Sequence, residues 1–345
     1  MKPRAWYNAV RHAGAIALVL ALASCGKGEV PLTTMAPKSD FANWIFGVYL
    51  EVIGWDTIVL IIVSGALGLA LFRFSTRATD EFEPPKRSTE HLALEAAWTA
   101  GPAGILLFIA IPSILITFRS QPTMPPPDAM IVKVVAHQWW WEFQYPSLGI
   151  TTANEMHLPV GKAVRLQLES ADVIHSFWMP QLGGKRDVVP GHSNELTLTP
   201  NTPGYYYGEC AEFCGTSHAN MRFRVIVDTE DHFSDWKVHE EATSVMPARD
   251  ASTGDPVALG AAIYANSPCT TCHTIAGVSS GKLAPNLTHF GRRTSMAGGM
   301  YDNTPKNVAT WVRDPDKMKP GAQMPALGLT DEQASHLAAY LESLK

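Results

Sequence analysis

The residues of this chain that could do chemistry are concentrated in two short stretches, which hold four of its five cysteines. In the first, Cys210 and Cys214 are followed by His218 and Met221, so that two thiols, an imidazole and a thioether fall within twelve residues. Such soft ligands suit copper, especially Cu(I). A disulfide and a structural zinc site are the alternatives. Neither accounts for the methionine, so the pattern favours copper.

A second imidazole is needed if two thiolates bridge two copper ions. His175, in the segment from Asp172 to Pro180, is the best candidate because it falls on a loop between predicted strands. Ligand loops with Cys, His and Met on a β-sandwich are typical of blue-copper electron-transfer sites. The sequence therefore predicts a binuclear copper site on a β domain.

The second stretch contains Cys269, Cys272 and His273, the spacing of covalent c-type haem attachment. The two thiols would bond the haem vinyl groups while the adjacent imidazole binds the iron. A redox Cys-x-x-Cys pair or a zinc knuckle is the alternative, but neither requires the histidine. Because methionine opposite histidine raises a haem potential, Met324 is predicted as the sixth ligand, with Met318 as runner-up.

Two kinds of domain must position these groups. Residues 124–229 alternate strand-like runs with Gly, Pro, Asn and Ser, which predicts an all-β sandwich. Its predicted strands cover residues 130–145, 162–168, 194–199, 204–208 and 221–227. On the first of them, Trp139 and Trp141 would share a face and belong to the core.

Residues 230–253 are predicted to be an acidic linker before an all-α domain at 254–345. In that domain Asp255 and Pro256 are typical of a helix start. A capping box from Thr330 to Gln333 opens the C-terminal helix.

The composition indicates a membrane protein. Only 17% of the 345 residues are charged, against roughly 25% in soluble domains. A net charge of −5 also argues against a nucleic-acid partner. Apolar runs predict a transmembrane hairpin within residues 25–123, with helices at about 49–73 and 92–118. The basic connection between them would be cytoplasmic.

The N-terminus has a basic start and a short apolar run, which predicts a signal peptide over residues 1–24. Its Leu-Ala-Ser-Cys ending resembles a bacterial lipobox, so Cys25 is predicted to carry a lipid. An ordinary signal peptide with a chance cysteine is the alternative.

Together the motifs resemble one family. Cys-x-Glu-x-Cys-Gly-x-x-His-x-x-Met, preceded by His-Ser-Phe-Trp-x-Pro, is similar to subunit II of the haem–copper cytochrome c oxidases. The resemblance extends to Glu95–Thr99, His137–Trp141 and Lys185–Gly191. The C-terminal part resembles class I cytochrome c domains, fused as in caa-type oxidases. The implied fold is a two-helix hairpin, a cupredoxin-like sandwich and a cytochrome c domain.

The resemblance implies a role for each matching residue. It makes the copper site a CuA centre bridged by both cysteines, with one histidine on each copper, a weak thioether and a backbone carbonyl. The ligands so implied are His175, Cys210, Glu212, Cys214, His218 and Met221. It also implies magnesium at the Glu212 side chain, shared with a catalytic subunit. Trp139 would receive electrons from cytochrome c, and Glu95 would lie at the mouth of a proton channel.

The implied function is that of an electron-input subunit in a bacterial inner membrane. Electrons would pass from cytochrome c or another periplasmic donor through haem c and CuA to subunit I, which reduces oxygen and pumps protons. Subunit III and membrane lipid are further expected partners. Quinol-oxidase relatives lack the copper ligands; because all six are present here, that branch is excluded.

Two other functions are weighed against it. The chain could be a membrane-anchored electron carrier for another reductase. It could instead be a non-redox interaction protein held by metals or disulfides. The helical hairpin with its Glu95-Ala-Ala-Trp98 motif argues against the first, since a simple tether needs only one helix.

Overall fold

The computed structural model describes residues 30–74, 91–120, 126–242 and 254–345. The predicted signal peptide and Cys25 lie outside these residues. Two helices, α1 (Asp40–Arg73) and α2 (Leu92–Arg119), are long and apolar enough to cross a membrane. Helix α1 begins upstream of the predicted residue 49, because Ser39 accepts the Ala42 N–H as an N-cap and Phe41 is buried against the β domain. The first turn of α1 is not part of a long apolar run, so the hydropathy pattern predicts a helix that starts after it.

The β domain is a sandwich of two five-stranded sheets with the strand orders β3-β2-β1-β5-β8 and β4-β10-β9-β6-β7. Its strands are β1 (Met130–His137), β2 (Trp140–Tyr145), β3 (Ile150–Ala153), β4 (Glu155–Pro159), β5 (Val164–Ser170), β6 (His175–Trp178), β7 (Arg186–Val188), β8 (Asn194–Leu198), β9 (Gly204–Cys210) and β10 (Arg222–Asp228). Val132, Val134 and Ala136 alternate along β1 and are fully buried, as a half-buried strand requires. Trp141 packs edge-on against Phe177 across the core, with ring centroids 5.1 Å apart.

The predicted strand at 130–145 is two strands. A turn at Gln138 and Trp139 separates β1 from β2, which then pair antiparallel. The prediction that Trp139 shares a strand face with Trp141 is therefore wrong, although both rings are buried. Apolar and polar residues continue to alternate across this tight turn, so the sequence pattern alone does not show where β1 ends.

The linker predicted at residues 230–253 is only partly a linker, because its first half forms helix α3 (Glu230–Glu241). Thr229 caps this helix, and Glu230 and Asp231 lie in its first turn, where the helix dipole favours acidic groups. The buried Trp236 stacks on His157 of β4, with ring centroids 4.6 Å apart. Helix α3 is thus part of the β domain.

The C-terminal domain is helical, as predicted. It consists of α4 (Pro256–Ala265), α5 (Cys269–Cys272), α6 (Pro305–Arg313), α7 (Pro315–Met318), α8 (Asp331–Ser343) and two short hairpins, β11–β12 (Thr274–Ile275, Ser279–Ser280) and β13–β14 (Ser295–Met296, Tyr301–Asp302). The capping box at Thr330 and Gln333 is present. Helices α4 and α8 cross so closely that a Cβ at Gly260 would lie 2.0 Å from the His336 carbonyl oxygen. Only glycine permits this approach.

Candidate metal centre and haem cavity

The predicted copper ligands converge at one end of the sandwich. His175 opens β6 and Cys210 closes β9, and these strands pair so that Cys210 lies opposite Phe177. The ligand atoms of His175, Cys210 and Cys214 lie within 4.8 Å of one another, and all three residues are buried. The two Sγ atoms are 3.8 Å apart and both cysteines are free.

The remaining predicted ligands surround this pair. His218 Nδ1 lies 3.6 Å from Cys214 Sγ, and Met221 Sδ lies 3.9 Å from the same sulfur. On the other side, His175 Nδ1 is 3.8 Å and the Glu212 carbonyl oxygen 3.2 Å from Cys210 Sγ. A structural zinc site takes four ligands. Five side-chain donors, two of them the cysteine sulfurs, and a carbonyl fit two bridged copper ions better.

The contact between the two sulfurs shifts their pKa values in opposite directions. The hydrogen bond with Cys214 lowers the pKa of Cys210, and the hydrogen bond with Cys210 together with burial raises the pKa of Cys214. The contact thus favours the thiolate form of Cys210, and the thiolate is the form that ligates metals.

Asp172 orients one of the imidazoles, a role that the sequence reasoning missed. Its Oδ1 lies 2.7 Å from His175 Nε2, which leaves Nδ1 directed toward Cys210. Its Oδ2 accepts the backbone N–H of Gln138 at 2.6 Å. Carboxylates behind metal-binding histidines commonly fix the ring and its tautomer. The i, i+3 spacing of Asp172 and His175 could have indicated this.

The predicted haem ligands line a cavity of about 420 Å³. Cys272, His273 and Met324 are in its wall, whereas Cys269 and Met318 are not. The Pro285 carbonyl can only accept a hydrogen bond and lies 2.8 Å from His273 Nδ1, so that nitrogen carries the proton and Nε2 is left for a metal. The apolar part of the wall comes from Leu283, Ala284, Leu287, Phe290, Met296 and Trp311. An imidazole, a thioether and apolar walls fit a haem.

The β domain closes one side of this cavity. Gln138, Trp139 and Trp140 contribute to its wall. The Cys214 carbonyl accepts hydrogen bonds from Gln138 Nε2 at 2.7 Å and from Trp139 Nε1 at 3.0 Å. The turn between β1 and β2 therefore contacts the segment 210–221, which we call the metal loop, on one side and the haem cavity on the other.

We call the contact between the β domain and the C-terminal domain the seam. Glu155 is buried there and accepts hydrogen bonds from the Thr294 N–H and hydroxyl and from the Ser295 hydroxyl. Arg224 donates to Thr294 at 2.7 Å and pairs with Asp302. Further contacts are Arg222 N to Gly298 O, Ser217 Oγ to Pro320 O and Lys319 Nζ to Trp139 O. Sequence patterns gave no signal of this seam.

Two side chains predicted to have roles beyond the copper and haem sites are Glu95 and Glu212. Glu95 is in the first turn of α2, and the Glu212 side chain is exposed, although its carbonyl lies beside Cys210. The roles of these two carboxylates stay predictions.

Three family models match the chain. The transmembrane domain of cytochrome c oxidase subunit II matches residues 38–116, its periplasmic domain matches 147–230, and the cytochrome c model matches 257–345.

Curated relatives match nearly the whole length. Cytochrome c oxidase subunit 2 of Alkalihalophilus pseudofirmus is 35% identical over 99% of this chain and 98% of its own. The Bacillus sp. PS3 protein of the same name is 34% identical over 95% of both chains. Among solved structures, the periplasmic domain of subunit II of Bradyrhizobium japonicum cytochrome oxidase is 32% identical over 34% of this chain and 97% of its own, with a TM-score of 0.33.

Proposed function

Because the chain belongs to the cytochrome c oxidase subunit 2 family and carries a fused cytochrome c domain, we propose that it is the electron-input subunit of a haem–copper oxidase. The family domains imply a CuA copper centre and haem c, and oxygen reduction belongs to another subunit. The proposed path runs from an external donor to haem c, then to CuA, then to the catalytic subunit.

One observation carries the proposal. Trp139 lies in the wall of the cavity that contains His273 and Met324, and its indole N–H donates to the carbonyl of Cys214. A single residue thus contacts both predicted redox sites. Only 9% of the surface of Trp139 is exposed, and Lys319 of the fused domain donates a hydrogen bond to its carbonyl. We infer that it takes electrons from the fused haem and that a soluble donor meets the haem domain first.

The chain's own residues hold and shield the two groups, which supply one-electron redox chemistry when bound. We assign the covalent haem bonds to Cys269 and Cys272 and the axial positions to His273 and Met324. The copper ligands are assigned to His175, Cys210, the Glu212 carbonyl, Cys214, His218 and Met221. Asp172 orients His175, and the ligands His175, Cys210 and Cys214 are buried.

The expected partners follow from the topology. Helices α1 and α2 support a two-pass membrane protein, and the basic residues between them favour a cytoplasmic connection with both redox domains outside. We propose an inner-membrane location, a catalytic subunit I, a subunit III and a periplasmic cytochrome c donor. The exposed Glu212 carboxylate is available for magnesium shared with subunit I. Glu95, at the cytoplasmic end of α2, is proposed to lie at that subunit's proton channel.

Purification of the chain from native membranes tests this function. We expect covalent c-type haem, two bound copper ions and an oxygen-reducing multi-helix subunit in the same complex. A chain without covalent haem or without copper would overturn the proposal. A chain with both groups that purifies without an oxygen-reducing partner would instead support the carrier for another reductase.

A further inference from the structure

Lys319 is a buried cation in the seam. Only 4% of its surface is exposed, and it follows the short helix α7. Its ammonium group donates to the carbonyls of Trp139 and Ala297, the latter at 3.1 Å. Among the described residues no acidic side chain forms an ion pair with it. Burial lowers the pKa of this lysine to about 7.

Such a placement costs free energy, because a buried charge is penalised unless it is paired and hydrogen-bonded. Gly298 makes room for it, since a Cβ there would lie 2.5 Å from Lys319 Nζ. An apolar side chain would fill the same space without the desolvation penalty. The presence of a lysine at position 319 is therefore explained better by the contacts of its ammonium group than by packing.

Its contacts lie between the two proposed redox sites. Lys319 shares the wall of the haem cavity with His273 and Met324. The residue whose carbonyl it binds, Trp139, donates its indole N–H to Cys214 O on the other side. The ammonium group thus holds the turn that contacts the metal loop against the domain that contains the cavity.

Other contacts dock the two domains without this lysine. Glu155 binds Thr294 and Ser295, and Arg224 binds Thr294, and none of these hydrogen bonds involves a residue of the β1–β2 turn. Loss of the Lys319 ammonium group should therefore leave the domains docked and release only the turn. Its effect can be separated from that of undocking.

We propose that Lys319 is a positioning residue for electron transfer: its ammonium group holds the Trp139 turn against the haem cavity and places a positive charge between haem c and CuA. This inference rests on the proposed function. Electron transfer slows when the group that lies between two centres is displaced, so release of the turn should slow transfer from haem c to CuA. A nearby cation also stabilises the reduced form of each centre, which raises its potential.

The test compares Lys319→Met with Lys317→Met in the complete holoenzyme at pH 6, below the pKa of about 7 to which burial lowers Lys319. Lys317 is exposed two residues away, so its substitution removes the same charge outside the seam. Haem c is photoreduced with a soluble dye, and its reoxidation and the reduction of copper are followed optically. Both midpoint potentials are measured by spectroelectrochemistry.

We expect Lys319→Met to slow haem-to-copper transfer several-fold and to lower both potentials, with normal haem and copper content. Lys319→Gln, which keeps one donor but no charge, should lower the potentials equally and slow transfer less. Lys317→Met should match the wild type. The inference is overturned if both Lys319 variants have the same transfer rates and midpoint potentials as Lys317→Met. It is also overturned if transfer is slower while the midpoint potentials are unchanged. Failure of the proposed function is distinct, since the wild type would then show no haem-to-copper transfer.

Discussion

Glu155→Ala should loosen the seam more than any other single substitution of a carboxylate in it. The buried carboxylate accepts from three donors: the Thr294 N–H at 2.9 Å, its hydroxyl at 2.7 Å and the Ser295 hydroxyl at 2.7 Å. Each hydrogen bond contributes about 1 kcal/mol net, and more to a charged group. Losing all three should weaken docking by about 3 kcal/mol, or roughly 100-fold in the docking equilibrium.

Urea unfolding of the detergent-solubilised holoprotein measures this loss. Haem absorbance reports on the cytochrome domain and the copper band on the β domain. Small domains lose about 1–3 kcal/mol of stability per molar urea. A loss of about 3 kcal/mol should therefore lower the urea midpoint of the first of the two transitions by roughly 1–3 M. In the wild type, Oε1 of Glu155 accepts from all three donors. In Glu155→Gln the amide oxygen takes the place of Oε1. The urea midpoint of the first transition should therefore fall by about a third as much as in Glu155→Ala.

The matched control is Glu169→Ala. Glu169 is on β5 and forms a half-exposed ion pair with Lys133, a type of contact that contributes about 0–1 kcal/mol. If Glu155→Ala shifts the first transition no more than Glu169→Ala does, the seam is not held by the buried carboxylate and the reasoning is refuted.

Three further predictions concern the sites themselves. Cys269→Ser should leave at most one thioether bond and abolish stable covalent haem, as a haem-stained denaturing gel would show, while the copper spectrum is kept. Met324→Leu should lower the haem midpoint potential because the thioether ligand is lost, whereas Met318→Leu should not; equal shifts would reverse the assignment. Asp172→Asn should weaken copper binding about 10–100-fold in chelator competition by releasing His175, and unchanged affinity would contradict that role.

The sequence was enough to predict the fold class of each part of the chain, because strand alternation, apolar runs and helix caps are local patterns. The capping box at Thr330 is an example, since both of its hydrogen bonds join residues three apart. The seam could not be predicted in this way. Glu155 contacts residues about 140 positions away and Lys319 contacts Trp139 across 180. A single polar contact at such separation leaves no periodic signal.

Gly321, in the loop that leads to Met324, lets the two proposed redox sites share Trp139 as a common wall. Gly321 has φ +80°, which favours glycine, and a Cβ there would lie 3.1 Å from Trp139 Cη2 and 3.2 Å from Thr216 Cβ. Any side chain would therefore push the loop away from the indole ring and from the metal loop at once. The indole N–H is already bonded to Cys214, so the ring cannot turn aside without losing that bond. The loop that presents Met324 and the loop that contains Cys214 are thus held on opposite sides of one tryptophan.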